Sequence, residues 1–295
     1  MPINSFLNYL TLEKKYSLHT IKAYKNDLNT FQVFCLKEYE NQDISTINYP
    51  QIRNWIVNLV NERISNRSIN RKVSSLKSFY KFLQKTKEID QNPLAKHKAL
   101  KVSKKIQVPF SEKEINEVLD SLSIGSDFES LRDRLIVELF YSTGMRRSEL
   151  INIKILDIDF ANEIVKVLGK RNKERYIPLL KPVRKTLARY IEAREEININ
   201  QSYLFLTKKG KKIYDTLVYR VINNYFSRVS SKVKKSPHII RHSFATHLLS
   251  EGADLNSVKE LLGHSSLAST QIYTHSSLGK LKEIYNQAHP RSRKN

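Results

Sequence analysis

The chain has 295 residues, 40% of them hydrophobic, and 51 Lys and Arg against 29 Asp and Glu give a formal charge of +22. That length can bury two separate cores, the apolar runs are too short to cross a bilayer, and the basic excess points to a polyanion such as nucleic acid. One cysteine, Cys35, excludes an intramolecular disulfide and sits in an apolar helical pattern as a small hydrophobe.

The N-terminal stretch MPINSFLNYL lacks the basic start and small-residue cleavage site of a signal peptide, so a cytoplasmic location is expected. Residues 3 to about 90 then show helical periodicity. Ile3, Phe6, Leu7 and Leu10 form one stripe, and Ile21, Tyr24, Leu28, Phe31 and Phe34 form a second behind a cap at Ser17 or Thr20. A third helix runs through Ile52, Ile56 and Leu59 and a fourth through Ile69, Val73, Leu76, Tyr80 and Leu83, giving a four-helix unit over 1–92 with no strand signal. On the fourth helix Arg67, Arg71 and Lys77 lie off the apolar stripe. They are candidates for contact with DNA phosphate, and an ordinary solvated face explains them equally well.

Asn92-Pro93 breaks the helical run, and the lysine-rich segment 93–110 reads as a basic linker able to follow a phosphate backbone. A second unit, 111–295, opens on the capping box SEKE, followed by a helix through Ile115, Val118 and Leu122 and another through Phe128, Leu131, Leu135 and Leu139. The latter stops at Gly144, and Arg146 is held between that glycine turn and Ser148, the expected cap of the next short helix. Arg147 is a rival on composition alone. Ile164, Val165 and Val167 face Tyr176 and Ile177 across GKRNKER, a β-hairpin with Lys170 at its tip. Helices at 183–193 and 217–226 read as scaffold.

Chemistry-bearing residues concentrate at 236–275, SPHIIRHSFATHLLSEGADLNSVKELLGHSSLASTQIYTH. Pro237 suits a first helical turn, so His238 and Arg241 stand at i and i+3 and can meet one phosphate. Asp254 caps a helix carrying Leu255, Val258, Leu261 and Leu262, which Gly263 ends, leaving His264 at its terminus. Ser265 or Ser266 can cap a last short helix bearing Tyr273. The tail keeps Leu278, Leu281, Ile284 and Tyr285 at helical spacing, too short a stripe to stand alone, so it must dock, on a neighbouring protomer or in cis. GxxxxGK[ST] is absent, and no nucleotide hydrolysis is expected.

HxxR, LLGH and a tyrosine nine residues after that histidine, together with STGMRRSEL and VLGKRNKERYIPL, resemble the signature of the tyrosine recombinase (phage integrase) family, in its Xer-type branch. The resemblance runs over nearly the full length. It selects Arg146 over Arg147, and it implies a mainly α fold with a small β-sheet or hairpin in the second unit. The whole would be a two-domain DNA clamp of a helical, SAM-like core-binding domain and a catalytic domain with a C-terminal docking helix. The family commonly has glycine after the hairpin lysine, where this chain has Arg171.

Cutting a phosphodiester needs an in-line nucleophile, a proton for the leaving oxygen and positive charge for the transition state. By the resemblance Tyr273 is the nucleophile, forming a 3′-phosphotyrosyl ester, and Arg146 and Arg241 bind the non-bridging oxygens. His238 and His264 hydrogen-bond the phosphate or move the tyrosine proton, and Lys170 protonates the 5′-oxygen. No metal, ATP or other cofactor is implied. The implied partners are a double-stranded recombination site, a homo- or hetero-tetramer on two such sites, a second Xer-type recombinase and a DNA translocase of the FtsK type. The implied role is resolution of chromosome dimers during chromosome partition and cell division, with mobile-element integration by the same chemistry as the alternative. A type IB topoisomerase and a non-catalytic DNA-binding protein are the remaining readings. The absence of a further N-terminal arm-binding domain leans toward the Xer type.

Overall fold

Ser17, Asn48 and Ser65 each turn a side-chain oxygen onto the backbone amide three residues ahead, at 3.3, 3.1 and 3.3 Å, and these caps fix where three helices begin. The structure, a computed structural model, describes residues 2–41, 43–103, 107–122, 125, 127–169, 173–198, 200–263, 285 and 287–292. Two units separate within it, Met1–Lys105 and Ile106–Asn295.

In the first unit α1 (Pro2–Leu12), α2 (Leu18–Tyr39), α3 (Tyr49–Asn61) and α4 (Asn66–Lys85) carry the four expected stripes. Phe6, Leu28, Phe31, Trp55, Phe79 and Tyr80 close one core, in which Cys35 is fully buried. Ser17 makes the cap of α2. The basic segment after Pro93 lies along α4 for its first part: Leu94 is buried in this core, and the Asn70 side chain accepts from the Leu100 amide and donates to its carbonyl, at 2.9 and 2.8 Å. The pair of bonds on Leu100, with the burial of Leu94, holds this part of a chain that its lysines alone would leave solvated.

The second unit starts with α5 (Glu112–Leu122), closed by the reciprocal Ser111–Glu114 capping box. It is built around α6 (Phe128–Thr143), which is buried on nearly every side and packs against α8 (Lys181–Asn198) and α10 (Pro237–Ser250). A helix buried around most of its girth, with Arg132, Asp133 and Glu138 buried beside its apolar residues, belongs at the centre of a domain. Between α6 and α8 come α7 (Arg147–Asn152), a 3-10 turn and an antiparallel sheet β1-β2-β3 of Ile158–Asp159, Ile164–Leu168 and Glu174–Pro178. Val165 pairs with Ile177 and Val167 with Arg175, so these four side chains form the buried face. The two-residue strand β1 was not expected. α9 (Asp215–Val229) and α11 (Leu255–Leu262) complete the unit.

Leu278, Leu281 and Ile284 lie outside the described residues. Beyond them the tail packs on its own unit. The Tyr285 hydroxyl donates to the Ser142 carbonyl, His289 Nε2 lies 3.2 Å from the Tyr141 carbonyl, and Arg291 reaches Glu138 at 3.5 Å. Tyr141 and Ser142 are in the last turn of α6, whose carbonyls have no intrahelical partner, so the tail supplies the missing donors.

Candidate active site

α6 ends at Gly144 in the left-handed region, φ 58°, where an added Cβ would sit 2.4 Å from the Phe244 ring. Only glycine fits both demands. Two residues on, Arg146 stands at the N-cap position of α7 with extended backbone. Glu149 Oε2 accepts from the Arg146 amide at 2.7 Å and Oε1 from its Nη1 at 2.7 Å. Ser148, the expected cap, lies inside the helix. A buried carboxylate replaces the hydroxyl because it can satisfy the amide and the guanidinium together. Arg147 turns to Asp215 on α9, with Nε 3.1 Å from Oδ1.

Arg241 projects from α10 one turn after Pro237 and is only 8% exposed. Its Nη1 donates to the Gly144 carbonyl and its Nη2 to the Leu262 carbonyl at 2.8 Å. The helix it reaches, α11, is capped by Asp254, which accepts from the amides of Asn256 and Ser257, and ends at Gly263 with φ 63°. Arg146 Nη2 reaches the Gly263 carbonyl at 3.3 Å and Arg175 Nε the Leu261 carbonyl at 3.1 Å. Three consecutive carbonyls at the end of α11 thus each take one arginine. A helix C-terminus offers unpaired acceptors and the negative end of its dipole, which gathers cations.

The charges do not balance. Among the described residues one carboxylate, that of Glu149, is hydrogen-bonded to these guanidiniums, while Arg146, Arg175 and Arg241 bring three positive charges. Burial and then the neighbouring charge of Arg146 push the Arg241 pKa down to about 10, which still leaves it protonated at neutral pH. For Glu149 burial acts upward, but the hydrogen bonds and charge of Arg175 and those of Arg146 outweigh it and hold the carboxyl below its ordinary value. What remains is a partly buried excess of positive charge with Arg146 still one-third open to solvent, side-chain exposure 36%. An anion with oxygens spaced for bidentate contact suits it.

His238 is exposed one turn before Arg241, its pKa lowered by desolvation and then by the charges of Arg241, His242 and Lys234. Lys170, His264 and Tyr273 lie outside the described residues; Gly169 and Gly263 are the described neighbours of the first two. On α4, Arg67, Arg71 and Lys77 are all exposed, and Arg71, with Lys72 and Ser75, also bonds the buried Asp27. Sequence reasoning missed Glu149 and Arg175. A signal existed for Arg175, since residues 175 and 177 share one face of a strand whose Ile177 belongs in the core. Among the described residues no helix is long and apolar enough to cross a membrane, and no three His, Cys, Asp or Glu side chains are grouped to hold a metal ion.

Residues 108–279 match the model described as Phage integrase family, and residues 3–87 match Phage integrase, N-terminal SAM-like domain. The chain is 38% identical over 298 residues to Tyrosine recombinase XerC of Oceanobacillus iheyensis, covering 99% of this chain and 97% of that protein. It is 39% identical over 298 residues to Tyrosine recombinase XerC of Anoxybacillus flavithermus, covering 98% of each. Its fold is similar to that of the XerH site-specific recombinase solved with a palindromic difH substrate in a post-cleavage complex, with a TM-score of 0.72, 24% identity, and coverage of 92% of this chain and 80% of that one. The chain belongs to the phage integrase family, among the tyrosine recombinases of XerC type.

Proposed function

We propose that this chain cuts and rejoins double-stranded DNA at a specific recombination site, with Tyr273 as the nucleophile. The Tyr273 oxygen attacks the scissile phosphorus, the bond to the 5′-oxygen breaks, and a 3′-phosphotyrosyl ester forms while Lys170 gives the departing oxygen its proton. Arg146 and Arg241 hold the non-bridging oxygens, and His238 and His264 hydrogen-bond the phosphate or receive the tyrosine proton. The observation that carries this reading is the uncompensated positive charge at the end of α11: three guanidiniums against one carboxylate match a phosphodiester that gains negative charge as it becomes pentacoordinate. One ester replaces another, so a 5′-hydroxyl of a second strand can reverse the step without ATP or metal.

The first unit, with Arg67, Arg71 and Lys77 on α4, binds the same duplex, the basic segment 93–110 links it to the catalytic unit, and the protein works in the cytoplasm as a tetramer on two sites, alone or with a second Xer-type recombinase and an FtsK-type translocase. Likeness to relatives named XerC supports chromosome dimer resolution over element integration. The test is a suicide substrate, nicked so that the cut strand cannot religate, incubated in excess EDTA. Wild type should form a covalent protein–DNA complex, and Tyr273→Phe should bind the DNA but form none. An adduct surviving in Tyr273→Phe, or one that requires Mg²⁺ or Zn²⁺, would overturn the reading.

A further inference from the structure

Arg175 sits inside the site described above without facing solvent, 4% exposed. It makes two parallel bonds to Glu149, Nη1 to Oε1 at 3.0 Å and Nη2 to Oε2 at 2.8 Å, while the Arg146 amide and Nη1 take the same two oxygens from the other side, each at 2.7 Å. The carboxylate is therefore shared symmetrically between two arginines. The third direction of the Arg175 guanidinium is Nε, which donates to the Leu261 carbonyl of α11 at 3.1 Å.

The same guanidinium borders two glycines, although the atom nearest a Cβ on Gly169 is the Lys173 carbonyl oxygen at 3.2 Å. A Cβ on Gly263 would lie 3.1 Å from Arg175 Nη1 and 3.2 Å from its Cδ, and a Cβ on Gly169 would lie 3.4 Å from that Nη1. One buried head group thus packs against the backbone immediately before residue 264, against the backbone immediately before residue 170, and against the carboxylate that orients Arg146. Its own backbone is fixed by pairing with Val167 across the sheet, and the Gly169 amide donating to the Lys173 carbonyl at 2.7 Å closes the neck of the hairpin. A guanidinium has five donors in a rigid fork, and this arrangement needs three of them at fixed angles, which an ammonium cannot supply.

We propose that Arg175 is a positioning residue for strand cleavage, setting the direction of the Arg146 guanidinium through Glu149 and the place where the chain leaves α11 and β2. This rests on the strand-cleavage reading above and adds to it a residue that touches no substrate. The charged groups facing Glu149 are Arg146 on its own turn, Arg175 from β3 and Arg241 from α10, and Lys154, Asp157, Lys166 and Glu174 line the cavity beside it. Removing Arg175 takes away the largest influence holding that buried carboxyl ionised.

The experiment compares Arg175→Lys and Arg175→Gln with wild type in the full chain, reading adduct formation on a suicide substrate at saturating DNA, DNA affinity, thermal melting and the pH profile of the cleavage rate. Both variants should bind DNA as wild type does and cleave on the order of ten- to a hundredfold more slowly, the scale of a small misplacement of a reacting group. The rate in Arg175→Gln should also fall as pH is lowered through a new ionisation that wild type lacks, because the Glu149 carboxyl, short of two donors, takes up a proton earlier. If Arg175→Gln does not fold, Arg175→Lys carries the reading. Wild-type rate and profile in the variants, a loss of rate that only follows the loss of folded protein, or failure of both variants to fold would each overturn the proposal. No adduct from wild type itself would overturn the strand-cleavage reading and, with it, this inference; an adduct from wild type left undiminished in the variants would sink the inference alone.

Discussion

Asp27 in the first unit and Glu149 in the second are both buried carboxylates that grip two basic side chains, and these two clusters are built differently. In the first, Asp27 on α2 takes Arg71, Lys72 at 3.4 Å and the Ser75 hydroxyl, and the cations reach the surface, with Arg71 52% exposed. In the second, Glu149 takes Arg146 and the buried Arg175, with Arg241 a further cation beside them and no extra acid among the described residues to match it. A buried carboxylate whose cations are solvated ties two helices together. One gripped by the buried Arg175 and the part-open Arg146, with the buried Arg241 beside them as a third cation, leaves charge waiting for a ligand.

The largest expected consequence is chemical. Arg146→Lys and Arg241→Lys keep the point charge but lose the two-pronged contact, so each should slow single-turnover cleavage on the order of a hundredfold or more while DNA affinity stays near wild type. Melting should hold for Arg146→Lys and fall somewhat for Arg241→Lys, whose ammonium cannot cap both the Gly144 and Leu262 carbonyls. If Arg147→Lys were the crippled variant, the register of the glycine turn would be misassigned, although Arg147 is bonded to Asp215. The mirror-image result is expected at the other cluster. Asp27→Asn should cost about 2 kcal/mol of stability, since partly solvated partners soften the penalty of a broken buried pair, and leave the cleavage rate per bound protein unchanged.

Acid should separate the units next. His289 is fully buried in the catalytic unit and its pKa is lowered from 6.5 to about 4, first by burial, whereas in the first unit His97 is only half-buried, its pKa lowered by burial and then by the charge of Lys77 without so large a shift. The folded state refuses a proton that the unfolded state accepts, so this contribution is intact above about pH 6.5 and is lost as pH falls toward about 4. A melting series from pH 7 to about 4 should show that decline, and His289→Gln, which keeps a donor toward the Tyr141 carbonyl but does not titrate, should make it shallower, the remainder coming from groups such as His238 and His247, whose pKa values burial also lowers. The smallest effect belongs to the exposed face of α4. Arg67→Gln and Lys77→Gln should each weaken DNA binding modestly and lower the slope of log affinity against log salt by about one. Arg71→Gln should lose stability as well, because of Asp27.

How much of this was legible follows from the length scale of each signal. Repeating apolar stripes made every long helix readable, and Gly144, Gly263, Asp254 and the Ser111–Glu114 pair announced helix ends by chemistry that acts within four residues. The two-residue strand β1 is too short to show a period. Glu149 and Arg175 meet across 26 residues, and the meeting depends on a strand register that composition does not state. Arg175 looked like one more polar residue in a basic hairpin; only its shared face with Ile177 marked it as inward. His289 was hidden for the same reason, since the apolar stripe of the tail pointed to Tyr285 and gave no hint that a polar ring four residues later fills the end of α6.

The charge excess at the end of α11 is tested most directly by removing charge from the ligand. A suicide substrate with a neutral methylphosphonate at the scissile position should be cleaved far more slowly than the phosphodiester by wild type, and Arg241→Ala should narrow or reverse that gap, because the variant no longer carries the cation that the missing oxygen charge would have answered. An unchanged gap in Arg241→Ala would contradict the account: the arginines would then be held by Glu149 and the carbonyls of α11 as structure, and the phosphate would be met elsewhere.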